Sequence, residues 1–250
     1  MDADWTFYQR QVDNWPASMA VNREYQVGGA VAALPSFAIL TLKIKHPRDN
    51  GFPTAEEFPD INEIDDRLSE VLYAEANSRY VGRKTSAGIV EFYYYTADAA
   101  VLQEKVAGVM ASFPTYHLDV STISDLTWTG YFKTLLPKTD AEKQQVSDND
   151  VISNLVAHGD DIYASRLVDH LTYFPSRQAR DAFKADLQGN GFSAFDEPFE
   201  SNDEGKWVFQ FSRSEAPAYI SETTLGLYRL ASQYGGEYDG WGCVVVLKGN

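Results

Sequence analysis

The chain has 250 residues, enough for two domains, and its 21 Lys plus Arg against 36 Asp plus Glu leave a formal net charge of −15. Such a field repels nucleic acid and anionic membranes, which are bound through clustered cations, and it favours a basic segment of a protein partner. One cysteine, Cys243, excludes an intramolecular disulfide and a cysteine-built zinc cage, and no apolar run approaches the ~20 residues of a membrane helix.

The amino terminus, Met1-Asp2-Ala3-Asp4-Trp5, lacks the basic and apolar regions of a secretory signal, so a cytoplasmic location is expected. Aromatic, partly alternating text over Trp5–Gln11 and Met19–Val27 predicts two opening strands. Phe37–Lys45 is apolar and then alternates Leu42 and Ile44 with lysines, the pattern of a strand with one face running out to solvent. Asp60 and Glu63 form a capping-box pair at the head of a helix whose Ile61, Ile64, Leu68, Val71 and Leu72 share one face, ending near Ala76. Ser78–Lys84 and Gly88–Thr96 predict a hairpin about Thr85–Gly88. Its aromatic arm, Tyr93-Tyr94-Tyr95, should be core on one side and rim on the other. Asp98 starts a second helix with Leu102, Val106, Val109 and Phe113 inward, and Tyr116–Ser121 is a further strand.

Pro137–Asp150, PKTDAEKQQVSDND, is polar and free of aromatics, which marks a boundary between domains at 1–140 and 148–250. The acidity is spread over both halves, with 13 basic and 20 acidic groups in residues 1–145 against 8 and 16 beyond. A short helix at Asp150–His158 is followed by a strand at Tyr163–Phe174 and a helix opened by Pro175-Ser176, with Ala179, Phe183 and Leu187 inward. Gly191–Phe199 and Lys206–Arg213 flank the turn-prone Ser201–Gly205 as a hairpin, and Ile220, Thr224, Leu227 and Ala231 mark the last helix. Gly235 and Gly236 suit a left-handed cap, Tyr238-Asp239-Gly240-Trp241 reads as a tight turn, and Cys243–Leu247 as a final strand covered on both faces. Both halves then follow a βαββαβ order, so the expected fold class is α+β, with two tandem ferredoxin-like α/β sandwich domains.

The second half carries Asn154–Asp161 (NLVAHGDD), Asp169–Phe174 (DHLTYF), Gly191-Phe192 and Tyr234–Trp241 (YGGEYDGW). With these elements it resembles the ribonuclease E inhibitor family of the protein B type, from about Asp148 to Leu247. The first half, with Trp5-Thr6-Phe7-Tyr8 and the Arg79–Gly82 to Tyr93–Tyr95 hairpin, is similar to a bacterial domain family of unknown function often fused ahead of this module. The resemblance implies a ferredoxin-like sandwich for the second half. It also implies a non-catalytic protein that binds ribonuclease E and lowers its activity on RNA.

His158-Gly159-Asp160-Asp161 places an imidazole and two carboxylates within four residues, yet a helix C-terminus followed by solvated aspartates explains the same text. Asp169 and His170, adjacent on a strand, point to opposite faces and do not easily bond side chain to side chain as a base and its orienter. No Gly-x-Ser-x-Gly elbow or phosphate-binding loop is present, and Cys243 sits in apolar text that leaves a thiol inert. Base stacking by Tyr93–Tyr95 or by Phe192, Phe195 and Phe199 lacks a basic groove. The sequence therefore predicts no catalytic residue, metal or cofactor, and no direct contact with nucleic acid or membrane. It predicts a surface for a basic, ribonuclease-type partner at Asp160, Asp161, His170, Glu237, Asp239 and Trp241. The alternative is a metal-dependent hydrolase or small-ligand sensor between the halves, using His158, Asp160, Asp161 and His170.

Overall fold

The computed structural model describes residues 4–194 and 205–248, which form two compact units, Met1–Lys138 and Thr139–Asn250. Each contains an antiparallel sheet with helices, a mixed α+β architecture. Among the described residues no helix is long and apolar enough to cross a membrane.

Unit 1 opens with a hairpin of β1 (Trp5–Val12) and β2 (Trp15–Asn22), joined through Asp13 and Asn14, both at positive φ. That two-residue turn matches the right-handed twist of the strands, and it sets the second strand four residues earlier than the expected Met19–Val27. A short helix, α1 (Glu24–Gly28), occupies the remainder. There follow β3 (Ser36–Lys43), α2 (Phe58–Glu75), β4 (Ser78–Ser86), β5 (Ile89–Thr96), α3 (Ala99–Met110) and β6 (Leu118–Ser124). The sheet order is β1-β2-β4-β5-β3-β6, so the two expected opening strands join the four of the βαββαβ order in one six-stranded sheet.

The expected capping box at Asp60 and Glu63 is not used. Proline is accepted only in a helix's first turn, so Pro59 draws the start of α2 back to Phe58 with Glu57 as N-cap. Glu57 makes no side-chain cap; its carboxylate accepts the backbone N–H groups of Lys45 (2.7 Å) and His46 (2.8 Å). Ile61, Ile64, Leu68 and Leu72 are fully buried on one helix face, against Leu40, Leu42, Val90, Phe92 and Tyr94 of the sheet. Asp98 caps α3, accepting from Ala100 and Val101.

Tyr93 and Tyr95 point to the other face and are also buried, correcting the expectation of an exposed rim. The cause is a segment the periodicity did not reveal: Trp128 stacks on Tyr95 at 3.9 Å, and a π-helical turn over Tyr131–Leu135 closes the layer. Asp125 organises it, accepting from Tyr95 Oη (2.6 Å), Thr129 N (2.9 Å) and Gly130 N (2.7 Å). Gly130 has no room for a side chain, since a Cβ there would lie 2.7 Å from the Phe37 ring.

Unit 2 begins with α4 (Asp140–Ala157), ten residues earlier than the sequence predicts. Thr139 and Glu142 form a full capping box, so the polar stretch is mostly the solvated first half of a helix. Then come β7 (Arg166–Phe174), α5 (Arg177–Leu187), β8 (Ser193–Ala194), β9 (Trp207–Glu215), a 3-10 turn at Pro217–Tyr219, α6 (Ile220–Gln233) and β10 (Glu237–Cys243). The sheet order is β10-β7-β9-β8. Ser176 caps α5 as expected. Phe195, Phe199 and the turn at 201–204 lie outside the described residues.

Gly235, at φ +65°, ends α6, and the N–H of Gly236 returns to the Ala231 carbonyl, closing a Schellman motif. The next twelve residues depart from expectation. Asp239-Gly240 is not a turn: it is a bulge inside β10, where the register slips between Tyr238, opposite Thr172, and Gly240, opposite Leu171. Nor is Cys243–Leu247 a covered strand, since pairing with β7 stops at Cys243 and Val244 and Leu247 are 71% and 69% exposed. The tail leaves the sheet because Asp160 and Arg166 capture its backbone.

Candidate functional site

That capture is the first of three polar clusters that position the predicted residues in unit 2. Asp160 and Arg166 form an ion pair with side chains 0% and 4% exposed. Arg166 also donates to the carbonyls of Ala164, Asp161 and Val244, while Val246 N donates to Asp160 Oδ2 at 2.8 Å. Hydrogen bonding from Arg166 holds the Asp160 carboxyl below the usual range, against burial, which raises it. Asp161 is half-buried and accepts from Tyr163 N (3.2 Å). His158 ends α4 with Nδ1 2.8 Å from the Asn154 carbonyl. The four residues His158–Asp161 thus turn to different partners. Among the described residues no group of three or more His, Cys, Asp or Glu could hold a metal ion, so the hydrolase alternative is not favoured.

His170 lies on the helix-facing side of β7 and is 1% exposed. Its Nδ1 is 2.9 Å from Tyr238 Oη and its Nε2 3.6 Å from Glu215 Oε1, with the ring stacked on Phe211 at 5.4 Å. Burial raises the Glu215 carboxyl, but the contacts of His170, Arg213 and Thr223 outweigh it and hold the group at about 2. Asp160 and His170 accordingly present no side-chain surface; they fix the strands that carry the others.

Asp148, fully buried on α4, accepts from Gln144 Nε2 (2.9 Å), Thr224 Oγ1 (2.6 Å) and Trp241 Nε1 (3.0 Å). It ties α4, α6 and β10 together and pins the half-buried indole of Trp241 on the edge strand. Beside it a cleft of about 480 Å³ is bordered by Ser147, Val151, Asp169, Leu171, Asp239 and Trp241. Asp239 and Glu237 are exposed on the same strand, and Glu237 accepts from Lys206 Nζ at 2.8 Å. Glu237, Asp239 and Trp241 therefore share one edge of the sheet, with Asp161 in the loop before β7.

Asp148, Arg166 and Glu215 escaped the sequence reading. Gln144 and Asp148 stand four apart, a pairing visible once α4 is known to begin at Asp140. Arg166 bonds Asp160 six residues back and Val244 across the sheet, and Glu215 gathers Arg213, Thr223 and His170, sets that no single helical or strand spacing brings out.

Unit 2 is thus an antiparallel α+β unit with a buried polar frame behind one edge strand. Over residues 3–136 the chain matches the family described as Family of unknown function (DUF695), and it belongs to that family; residues 145–243 match the family Regulator of ribonuclease activity B. Both resemblances expected from the sequence are thereby shown. No curated protein matches the chain. Among solved structures, the chain is similar to an unknown protein from Galdieria sulphuraria, 13% identical, covering 84% of this chain and 99% of that one at a TM-score of 0.23. A putative glycine cleavage system transcriptional repressor is 5% identical, with 84% and 98% covered at a TM-score of 0.24.

Proposed function

We propose that this chain is a non-catalytic, cytoplasmic regulator whose second unit docks on a basic segment of a ribonuclease E-type enzyme and lowers its activity on RNA. The observation that carries the reading is the match of residues 145–243 to the Regulator of ribonuclease activity B family. The net charge of −15 supports a basic partner, because opposite charge accelerates encounter and suppresses wrong partners. The docking surface is the edge formed by Glu237, Asp239 and Trp241 with Asp161, and Asp160 and His170 act from inside by holding the tail and β10 in place. An aromatic ring held by a buried hydrogen bond is the type of residue on which binding energy concentrates.

The same proposal includes domain limits of 1–140 and 148–250 and a ferredoxin-like fold for both. The strand orders β4-β5-β3-β6 and β10-β7-β9-β8 support it, since in each the first and third strands of a βαββαβ unit lie centrally.

The test is RNA cleavage by a purified ribonuclease E-type enzyme with increasing amounts of the full chain. Cleavage should fall with added chain, the complex should weaken steeply as salt rises, and the Glu237→Lys/Asp239→Lys double variant should bind at least tenfold more weakly. Unchanged cleavage at saturating chain, with no complex even at low salt, overturns the reading.

A further inference from the structure

Unit 1 contains a second place where side chains converge, and nothing in the ribonuclease reading uses it. Two helices about 10 Å across cover roughly four strands spaced ~4.8 Å apart. The sheet has six, and α2 and α3 pack on the β3–β6 end, so the opening hairpin extends past the helical layer. Its helix-side residues are left beside the loop that leads into α2. There a cavity of about 550 Å³ opens, within the size range of small-molecule sites.

The walls have a definite chemistry. Three phenyl rings, Phe7, Phe52 and Phe58, line it, and Phe7 and Phe58 are 55% and 49% exposed. The charged residues lining it are two arginines, Arg48 and Arg83, with no carboxylate. This stands out in a stretch of 145 residues that holds 20 acidic groups against 13 basic ones. Arg83 is placed by its neighbours: Nη1 donates to Asn62 Oδ1 (3.1 Å) and Asp65 Oδ2 (3.0 Å) and the guanidinium lies over the Phe92 ring, while Nε and Nη2 have no hydrogen-bond partner among the described residues. Asp65 takes part of that charge, which makes Arg48 the stronger cation. Arg48 is exposed, and its side chain makes no hydrogen bond or ion pair among the described residues. Thr85 and Ser18 add hydroxyls to the floor.

We propose that this cavity binds a small carboxylate with a flat apolar or aromatic body, the ring system lying among Phe7, Phe52 and Phe58 and the carboxylate between Arg48 and Arg83. The apolar walls favour a body of that shape through burial, and a planar guanidinium is suited to a carboxylate through two parallel hydrogen bonds. A cation of the same shape would meet two like charges and no acceptor carboxylate.

The experiment is calorimetric titration of the full chain with 2-naphthoate, its uncharged analogue 2-naphthamide and the cation 2-naphthylmethylammonium. One saturable site of about 1 mM or tighter is expected for naphthoate. The amide should bind about tenfold more weakly, as expected on losing a charge-assisted hydrogen bond, and the cation should not bind measurably. Arg48→Gln should weaken naphthoate about tenfold, and Ala55→Trp, which fills the exposed mouth without altering charge, should abolish binding; circular dichroism establishes that both variants fold. Absence of saturable naphthoate binding, equal binding of the three probes, or full affinity in both variants each overturns the proposal. The ribonuclease assay is read separately, and none of these results bears on it.

Discussion

The two units solve the problem of filling an interior in different ways. Unit 1 packs aromatic rings on both faces of its sheet, with Phe92 and Tyr94 toward the helices and Phe37, Tyr93, Tyr95 and Trp128 on the reverse. Unit 2 has an aromatic cluster around Phe174, Phe183 and Phe211, and it places buried polar groups next to it at Asp148, Asp160, Arg166, Arg180 and His170. Stacked rings therefore carry most of the first unit, around the buried Asp125 and Glu57, whereas the second relies more on directional contacts between polar groups. A buried polar network is unforgiving when one member is removed, because the survivor keeps the cost of lost hydration without the compensating bond.

The largest expected effect tests that contrast directly. Arg166→Ala leaves the Asp160 carboxylate enclosed without a counter-ion and frees the carbonyls of Asp161 and Val244. A cost of about 3 kcal/mol is expected, the lower end for broken buried pairs, because only the thin tail covers this one. Urea unfolding followed through Trp241 and Trp207 should shift to lower denaturant while the Trp128 signal of unit 1 stays in place. Equal shifts of both signals would show that the units do not unfold independently.

Gly130→Ala is the matching insult to unit 1. The new Cβ would press on the Phe37 ring, itself wedged between Tyr93 and Tyr95, so the ring cannot withdraw without disturbing the stack. Overpacking of this kind costs about 1–3 kcal/mol, read as a lower transition for Trp128 alone.

Acid should separate the units next. Among the described residues of unit 2 the perturbed carboxyls move one way: Asp160, Asp140, Asp181 and Glu215 are held low, by Arg166, Lys143, Arg180 and the contacts of Glu215 respectively. In unit 1 they divide. Burial raises Asp65 despite Arg83, whereas Asp125, although burial raises it too, is drawn down by Tyr95 and the N–H groups of Gly130 and Thr129. A group depressed in the folded state contributes stability that is present above its unfolded value and lost as pH falls through its folded one. For Glu215 that window runs from its ordinary 4.5 down to about 2. Unit 2 should consequently melt first across this range, and Glu215→Gln should flatten its pH dependence, as measured by thermal melts at stepped pH.

How much of this was legible beforehand follows the same division. Helix faces announced themselves through spacing, as at Ile61, Ile64, Leu68 and Leu72, and Ser176 and Asp98 through cap chemistry, because these signals are local. The covering segment at Trp128–Leu135 was missed, since its partners are Phe37 and Tyr95 and no periodicity within the segment records them. Asp239-Gly240 carries the same letters in a turn and in a bulge; only the register against Thr172 and Leu171 decides. For the proposed docking edge, Glu237, Asp239 and Trp241 were named from their types, but Asp148, which holds Trp241, and Arg166, which holds Val244 just beyond, act across 93 and 78 positions of the chain.

The smallest effect sharpens the functional reading. Glu237 meets Lys206 at 2.8 Å, but the side chains are 63% and 39% exposed, so solvent screens the pair and ordering both chains offsets most of the attraction. Glu237→Gln should therefore change unit 2 stability by no more than about 0.5 kcal/mol. The same substitution removes one negative charge from the proposed docking edge, so association with a basic partner should slow at low salt and converge with the parent chain at high salt. Stopped-flow association at two ionic strengths, set beside a urea titration, distinguishes these effects. A variant that melts early and associates normally would mean that Glu237 belongs with the buried frame of Asp148 and Arg166 rather than with the surface that frame supports.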